Sequence, residues 1–182
     1  MNILKIKQTM LNKGITTEVM KQFVFPKIED ETPEEKIAFV NQMDNLLSKD
    51  QILSIMEEQG CNKNEPSVEL MLKFKDKSME DRIKILNAMD MSDQPRSRLN
   101  ADGTLSIFWC FEKNGKYICV CPIINELKKP TNVSLTFCGC CSGHVKFNFE
   151  NFLCIKLRLI ETVSSPISSN GEKYCEHRFK II

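Results

Sequence analysis

The chain's 182 residues, 42% of them hydrophobic, suffice for one substantial core or two small ones sharing an interface. Its 25 Lys and Arg are interspersed with 24 Asp and Glu for a formal net charge of +1, so no field exists to gather nucleic acid or an anionic membrane, and partners of both kinds are excluded. Lys5 and Lys7 break the continuous apolar region that a secretory signal requires, and no apolar run approaches the roughly 18 residues of a membrane span. A cytoplasmic protein with reduced thiols is expected; nine cysteines, an odd number with two adjacent, also suit a disulfide framework poorly.

As far as Met91 the signals are helical. Ile3, Leu4, Met10 and Leu11 lead to a stop at Gly14, and Thr16 is placed to cap a short helix whose Val19, Met20, Phe23 and Val24 form a stripe before Pro26. Thr32-Pro33-Glu34-Glu35 is the clearest start signal, a Thr cap with proline at the first helical position and a Glu three residues after the cap. The helix it opens buries Ile37, Val40, Met43, Leu46 and Leu47. Ser48 and Gln51 form a second capping box for Ile52, Leu53, Ile55 and Met56, closed by Gly60. A further helix is expected from Val68 to Phe74, and Ser78 with Asp81 opens the last, carrying Ile83, Ile85, Leu86 and Met89.

Residues 92–104 are polar and turn-rich, and divide a helical region, 1–95, from an α/β cysteine-rich region, 96–182. Beyond them Leu105–Cys110 and Lys116–Cys121 flank Asn114-Gly115, which predicts a hairpin. Pro122 then ends the second strand, and Ile123, Ile124 and Leu127 lead into a loop. Val133–Cys138 reads as a third strand, Gly143–Leu153 as a helix, and Ile155–Val163 and Tyr174–Ile181 as closing strands. The expected fold class is α+β: a helical N-terminal half packed on a C-terminal antiparallel sheet with one or two flanking helices. The two regions should form one compact unit, because the helices' apolar faces need the sheet to cover them.

Five of the nine cysteines and one of the two histidines lie between Cys119 and His144. Residues i and i+2 of a strand share a face, so Cys119 with Cys121 and Cys138 with Cys140 could each present two sulfurs to one point. Thiolates are zinc ligands, which makes these four the candidate metal set and zinc the candidate cofactor. Taken singly, each is an ordinary buried strand cysteine. Cys141 and His144 stand three apart at the expected helix start, where amides stabilise a thiolate; they are the candidate catalytic pair, against the plainer reading that His144 caps or packs there. His177 reads as a surface imidazole, Cys175 reaches the cluster only if strand order allows, and Cys61 is a lone loop cysteine placed to cover the site from the helical half. Trp109, Phe108, Phe111, Phe147, Phe149 and Phe152 supply core and, beside a sheet, the walls of an apolar cavity. Glu57-Glu58 reads as a solvated helix end rather than an acid–base pair, and there is no glycine-rich phosphate loop.

Residues 105–182 carry a resemblance. Trp109 on a strand, Cys119-x-Cys121-Pro122, Phe137-Cys138-Gly139-Cys140-Cys141-Ser142-Gly143-His144, Ile160-Glu161-Thr162 and the closing Gly171-x-x-Tyr174-Cys175-x-x-Arg178-Phe179 resemble uncharacterised bacterial proteins allied to the 4-vinyl reductase domain and to the L-2-amino-thiazoline-4-carboxylate hydrolase-like group. The resemblance implies an antiparallel sheet with flanking helices that binds small hydrophobic or metal-containing ligands, with hydrolases among its members, and it matches Cys138, Cys140 and Cys175 to recurring cysteines. Glu176-His177 departs from the acidic or apolar run usual there.

The expected protein binds, senses or carries zinc or a small hydrophobic or heterocyclic ligand, with a homodimer among the assemblies open to it. Two alternatives use the same residues: a thiol- or zinc-dependent hydrolase of a small heterocycle or amide, in which zinc activates water or Cys141 attacks with His144 as base, and a metal-free thiol redox sensor.

Overall fold

The structure is a computed structural model that describes residues 1–26, 31–60, 72, 74–89 and 96–182. Cys61, and all but 72 and 74 of the helix expected over 68–74, lie outside the described residues. The capping signals of the first half act as read. Helix α1 (Ile3–Asn12) ends at Gly14, whose φ of 78° is left-handed, and Thr16 caps α2 (Thr17–Met20). In α3 (Pro33–Leu46) the Thr32 hydroxyl accepts from the Glu35 amide while the Glu35 carboxylate accepts from the Thr32 amide. Ser48 and Gln51 repeat the arrangement at α4 (Lys49–Met56), and Ser78 caps α5 (Met79–Ala88).

Four antiparallel strands form the main sheet in the order β1 (Arg96–Leu99), β2 (Thr104–Trp109), β6 (Cys175–Ile181), β5 (Leu157–Ser164). Strand β1 falls in the segment expected to be a linker. It is an edge strand, and the Asn87 side chain of α5 exchanges hydrogen bonds with the Ser97 backbone along that edge, at 2.7 and 3.0 Å. Asn114 and Gly115 form the expected turn, both at positive φ, but the hairpin is only β3 (Glu112–Lys113) and β4 (Lys116–Tyr117), a separate two-stranded ribbon. A strand has two edges, and both edges of β2 are taken, by β1 and β6. Lys116–Cys121 therefore cannot pair with Leu105–Cys110 as expected, and it leaves regular structure after Tyr117. Pro122 opens the short helix α6 (Pro122–Asn125), where its fixed φ and missing N–H suit the first position.

The largest departure is α7 (Leu135–Leu153), a 19-residue helix that takes in most of the expected strand Val133–Cys138 as well as the expected helix Gly143–Leu153. β-branched and aromatic residues at 133–138 mimic a strand locally, but Phe137, Cys138, Gly139, Cys140, Ser142, Gly143 and Val145 are all buried, so this helix is enclosed on nearly every side. Tertiary burial here overrides propensity. Its start is held by α3: the Asn41 side chain bonds the backbone of Asn132 and Ser134, and the Thr136 hydroxyl donates to Asp44.

Helix α7 joins both cores. Phe137 and Cys140 pack with Ile6, Met10, Phe39, Val40, Met43 and Met56 of the helical half, whereas Val145, Phe149 and Leu153 pack with Leu105, Ile107, Leu157, Leu159 and Phe179 of the sheet. Gly139 and Gly143, one turn apart, make the approach of α4 possible: a Cβ on Gly143 would lie 1.9 Å from the Gln59 carbonyl oxygen, and one on Gly139 would lie 2.7 Å from Met56 Cβ. Among the described residues no helix is long and apolar enough to cross a membrane.

Candidate functional site

Where α7 passes the end of β2 and the start of β6, the sequence leaves a space. Residues 118–121 are extended without a ladder, yet the period-two alternation survives: Ile118 and Val120 point to solvent while Cys119 and Cys121 turn inward. On α7, Cys138 and Cys141 are three residues apart and share a face, Cys140 enters from the neighbouring side, and His144 follows one turn after Cys141. Cys175 begins β6 opposite Trp109, the last residue of β2. Together with Met1, Phe137, Ile123 and Ile124 these side chains line a cavity of about 370 Å³, and no Asp, Glu, Lys or Arg is among its lining residues.

The expected candidates Cys119, Cys121, Cys138, Cys140, Cys141 and His144 are thus all brought together. The structure adds Cys175, which strand order does admit, and Trp109. Trp109 lies edge-on to His144 with centroids 5.6 Å apart, and its Nε1–H is buried without an acceptor among the described residues. Cysteine spacing works differently from the expectation. Cys138 and Cys140 sit on a helix, where residues two apart diverge, so Cys138 pairs with Cys141 instead. Cys141 and His144 lie in the middle of α7 rather than at its start, beyond reach of the helix's free amides.

Burial works against the thiolate at four of these cysteines. Burial pushes Cys138 up to about 12, and Cys119, Cys121 and Cys140 nearby oppose its ionisation further, against a Ser165 hydroxyl bonded to its sulfur. Burial raises Cys141 well above the usual thiol range, with Cys140, Cys138, Cys121 and Cys175 adding to the effect, and Cys175 is raised by burial and by Cys138, Cys119, Cys121 and Cys110. Cys119 is likewise raised by burial. None of the eight cysteines of the described residues is in a disulfide, and Cys110 and Cys154 lie exposed, away from the cavity wall. Among the described residues, no group of three or more Cys, His, Asp or Glu side chains is arranged so that it could hold a metal ion.

Two further side chains sit otherwise than expected. His177 is in the core, not on the surface: it lies between Cys175 and Phe179 on the buried face of β6, its Nδ1 is 3.2 Å from the Thr162 hydroxyl, its Nε2 has no partner among the described residues, and burial lowers its pKa to about 4. Glu57, expected at a solvated helix end, accepts the Leu159 amide of β5 at 2.9 Å, beside a bulge in the β5–β6 pairing.

Compared with protein-family models, with curated proteins and with solved structures, the chain matches none. What the site can do therefore rests on its own geometry.

Proposed function

We propose that this chain is a binding protein whose thiol-lined cavity holds a small ligand, either largely apolar or presenting a metal to sulfur, in order to sense or carry it. The observation that supports this reading is the cavity of about 370 Å³, whose wall holds six cysteines, one histidine and one tryptophan and no Asp, Glu, Lys or Arg. That volume falls within the range of small-molecule sites, and an apolar wall with a few convergent polar groups is their usual composition. The suggested kinship with 4-vinyl reductase-like proteins, which bind small hydrophobic or metal-containing ligands, is part of the same proposal. A binding role is favoured over a thiol hydrolase or a redox sensor because both of those need a thiolate with no metal to stabilise it. A thiol with its pKa at about 12, as for Cys138, is ionised in only about one molecule in 10⁵ at pH 7.

Trp109 is the chain's only tryptophan and lines the cavity, so its emission reports occupancy directly. Metal-free protein titrated with the neutral apolar dye N-phenyl-1-naphthylamine should show saturable quenching of Trp109. The bound dye should also slow alkylation of Cys138 and Cys141 while leaving the exposed Cys154 unaffected. An unresponsive Trp109, with cavity thiols alkylated equally fast with and without dye, would remove the cavity as a binding site.

A further inference from the structure

Resting on that reading of the cavity, we infer that its ligand is an amphipath, whose apolar body occupies the thiol-lined cavity and whose anionic head sits beside it, against Lys113 and Lys116 of the β3–β4 ribbon. A second cavity, of about 570 Å³, is lined by that ribbon. Cys119 and Ile124 stand in the walls of both, so the two spaces adjoin at the 118–121 segment and α6. Their chemistry differs. The first has no Asp, Glu, Lys or Arg among its lining residues, whereas the second has Lys113 and Lys116, with Asn114, Asn125, Asn170 and Tyr117, and no Asp or Glu.

The two lysines are placed against their own electrostatic preference. They are direct cross-strand partners on either side of the Asn114-Gly115 turn, so both side chains leave the same face of the ribbon. Like charges in that arrangement repel, and neither ammonium has an ion-pair partner among the described residues. The ribbon that carries them is seated on the turn before β6. There the Tyr117 amide donates to the Gly171 carbonyl at 2.9 Å, and a Cβ on Gly171, whose φ of 81° is left-handed, would lie 3.1 Å from Lys116 Cβ. An anion between the two ammoniums relieves their repulsion, with the neutral amides of Asn114, Asn125 and Asn170 as further donors around it.

The orientation of the ligand follows from desolvation. A carboxylate drawn into the first cavity would meet no cation there and would lose its water, so the head stays in the lysine-lined space while the alkyl or ring body gains by burial in the other. The wall between the two is not locked by a ladder. Ile118 donates its N–H to the Phe111 carbonyl, but the backbone of Cys119 and Val120 bonds no other backbone group among the described residues. A chain threaded past Cys119 therefore displaces side chains and breaks no strand pairing.

The test uses the full chain and the displacement of bound N-phenyl-1-naphthylamine by decanoate, with decan-1-ol as the uncharged counterpart. Decanoate should displace the dye. Lys113→Gln combined with Lys116→Gln should weaken that displacement about fivefold, while the neutral dye's own affinity and the displacement by decan-1-ol stay unchanged. Lys113→Arg combined with Lys116→Arg should keep the native response to decanoate. Circular dichroism reports whether each variant is folded, and a double variant that is not folded is replaced by the two single Gln variants, each expected to weaken decanoate about twofold. Equal displacement by decanoate in the native and Gln chains overturns the inference, as does an equal loss for decan-1-ol. A bound dye that decanoate does not displace overturns the anionic amphipath alone and leaves the cavity reading standing; failure of the dye to bind removes the cavity reading with it.

Discussion

From Val145 to Leu153, α7 is pressed onto the sheet, and Phe149, Leu153, Leu105, Ile107 and Phe179 fill the space between them with almost no exposed surface. From Phe137 to His144 the same helix borders a cavity, and the side chains there are small, sulfur-bearing and partly unfilled. One continuous helix thus has an end packed on the sheet and an end that borders a cavity. The first is optimised for contact, since dispersion and burial reward every filled methylene. At the other end one face is left open to the cavity, and the helix is held there by Phe137 and Cys140 in the helical core, by α4 closing on Gly139 and Gly143, and by α3 holding the helix start through Asn41 and Asp44.

The contrast can be broken most forcefully at Phe149. Phe149→Ala should cost about 4 kcal/mol in urea unfolding, the range for a buried aromatic whose neighbours cannot collapse into the hole. A loss below about 1.5 kcal/mol would mean the sheet end is no better packed than the cavity end. Gly143→Ala comes next. Its methyl would meet backbone, not a flexible side chain, so α4 and α7 must part; a loss of about 3 kcal/mol is expected despite the better helix propensity of Ala, and a neutral or stabilising result would show that α4 is not seated as described.

His177 sharpens the comparison at the seam, where β6 carries Cys175 into the cavity and Phe179 into the sheet core. The unfolded chain protonates this imidazole near pH 6.5 and the folded chain only near 4, so its neutral burial is fully accommodated above about pH 6.5 and stability declines as pH falls towards 4, by roughly 3 kcal/mol. Unfolding curves across that window should steepen their pH dependence accordingly, and His177→Leu should flatten it. An equal slope in both proteins would place the proton uptake on other groups. The smallest effect is expected at the cavity: Cys138→Ala should shift stability by about 1 kcal/mol or less, because the side chain already borders empty space. A loss approaching that of Phe149→Ala would show that the cavity is filled by protein in solution.

Short-range chemistry made much of this legible in advance. Thr32 with Glu35, Ser48 with Gln51, Gly14 and Asn114-Gly115 act through bonds spanning three residues or fewer, so covalent neighbours alone decide them. Strands β2, β5 and β6 form close to where the sequence places them, and the residues concentrated between Cys119 and His144 do meet around one cavity. Misread were the strand nature of 133–138, the length of the hairpin, the exposure of His177 and the role of Glu57. Each depends on a partner far along the chain: α3 and α4 around α7, β6 on the free edge of β2, Thr162 beside His177, and β5 over Glu57.

The amino-acid sequence by itself determined the α+β class, the helix starts at Thr16, Thr32, Ser48 and Ser78, and the fact that sulfur gathers in one stretch, though not that the second helix stops at Met20 instead of running on through Phe23 and Val24. Only the tertiary structure decided which sulfurs meet. On a strand Cys138 would have faced with Cys140; on a buried helix it faces with Cys141, and the antiparallel pairing of β2 with β6 brings Cys175 and Trp109 to the same cavity from 34 residues beyond Cys141 and 32 before it. Which faces are shared depends on the period of the backbone, and at residues 135–142 that period was set by burial rather than by local preference.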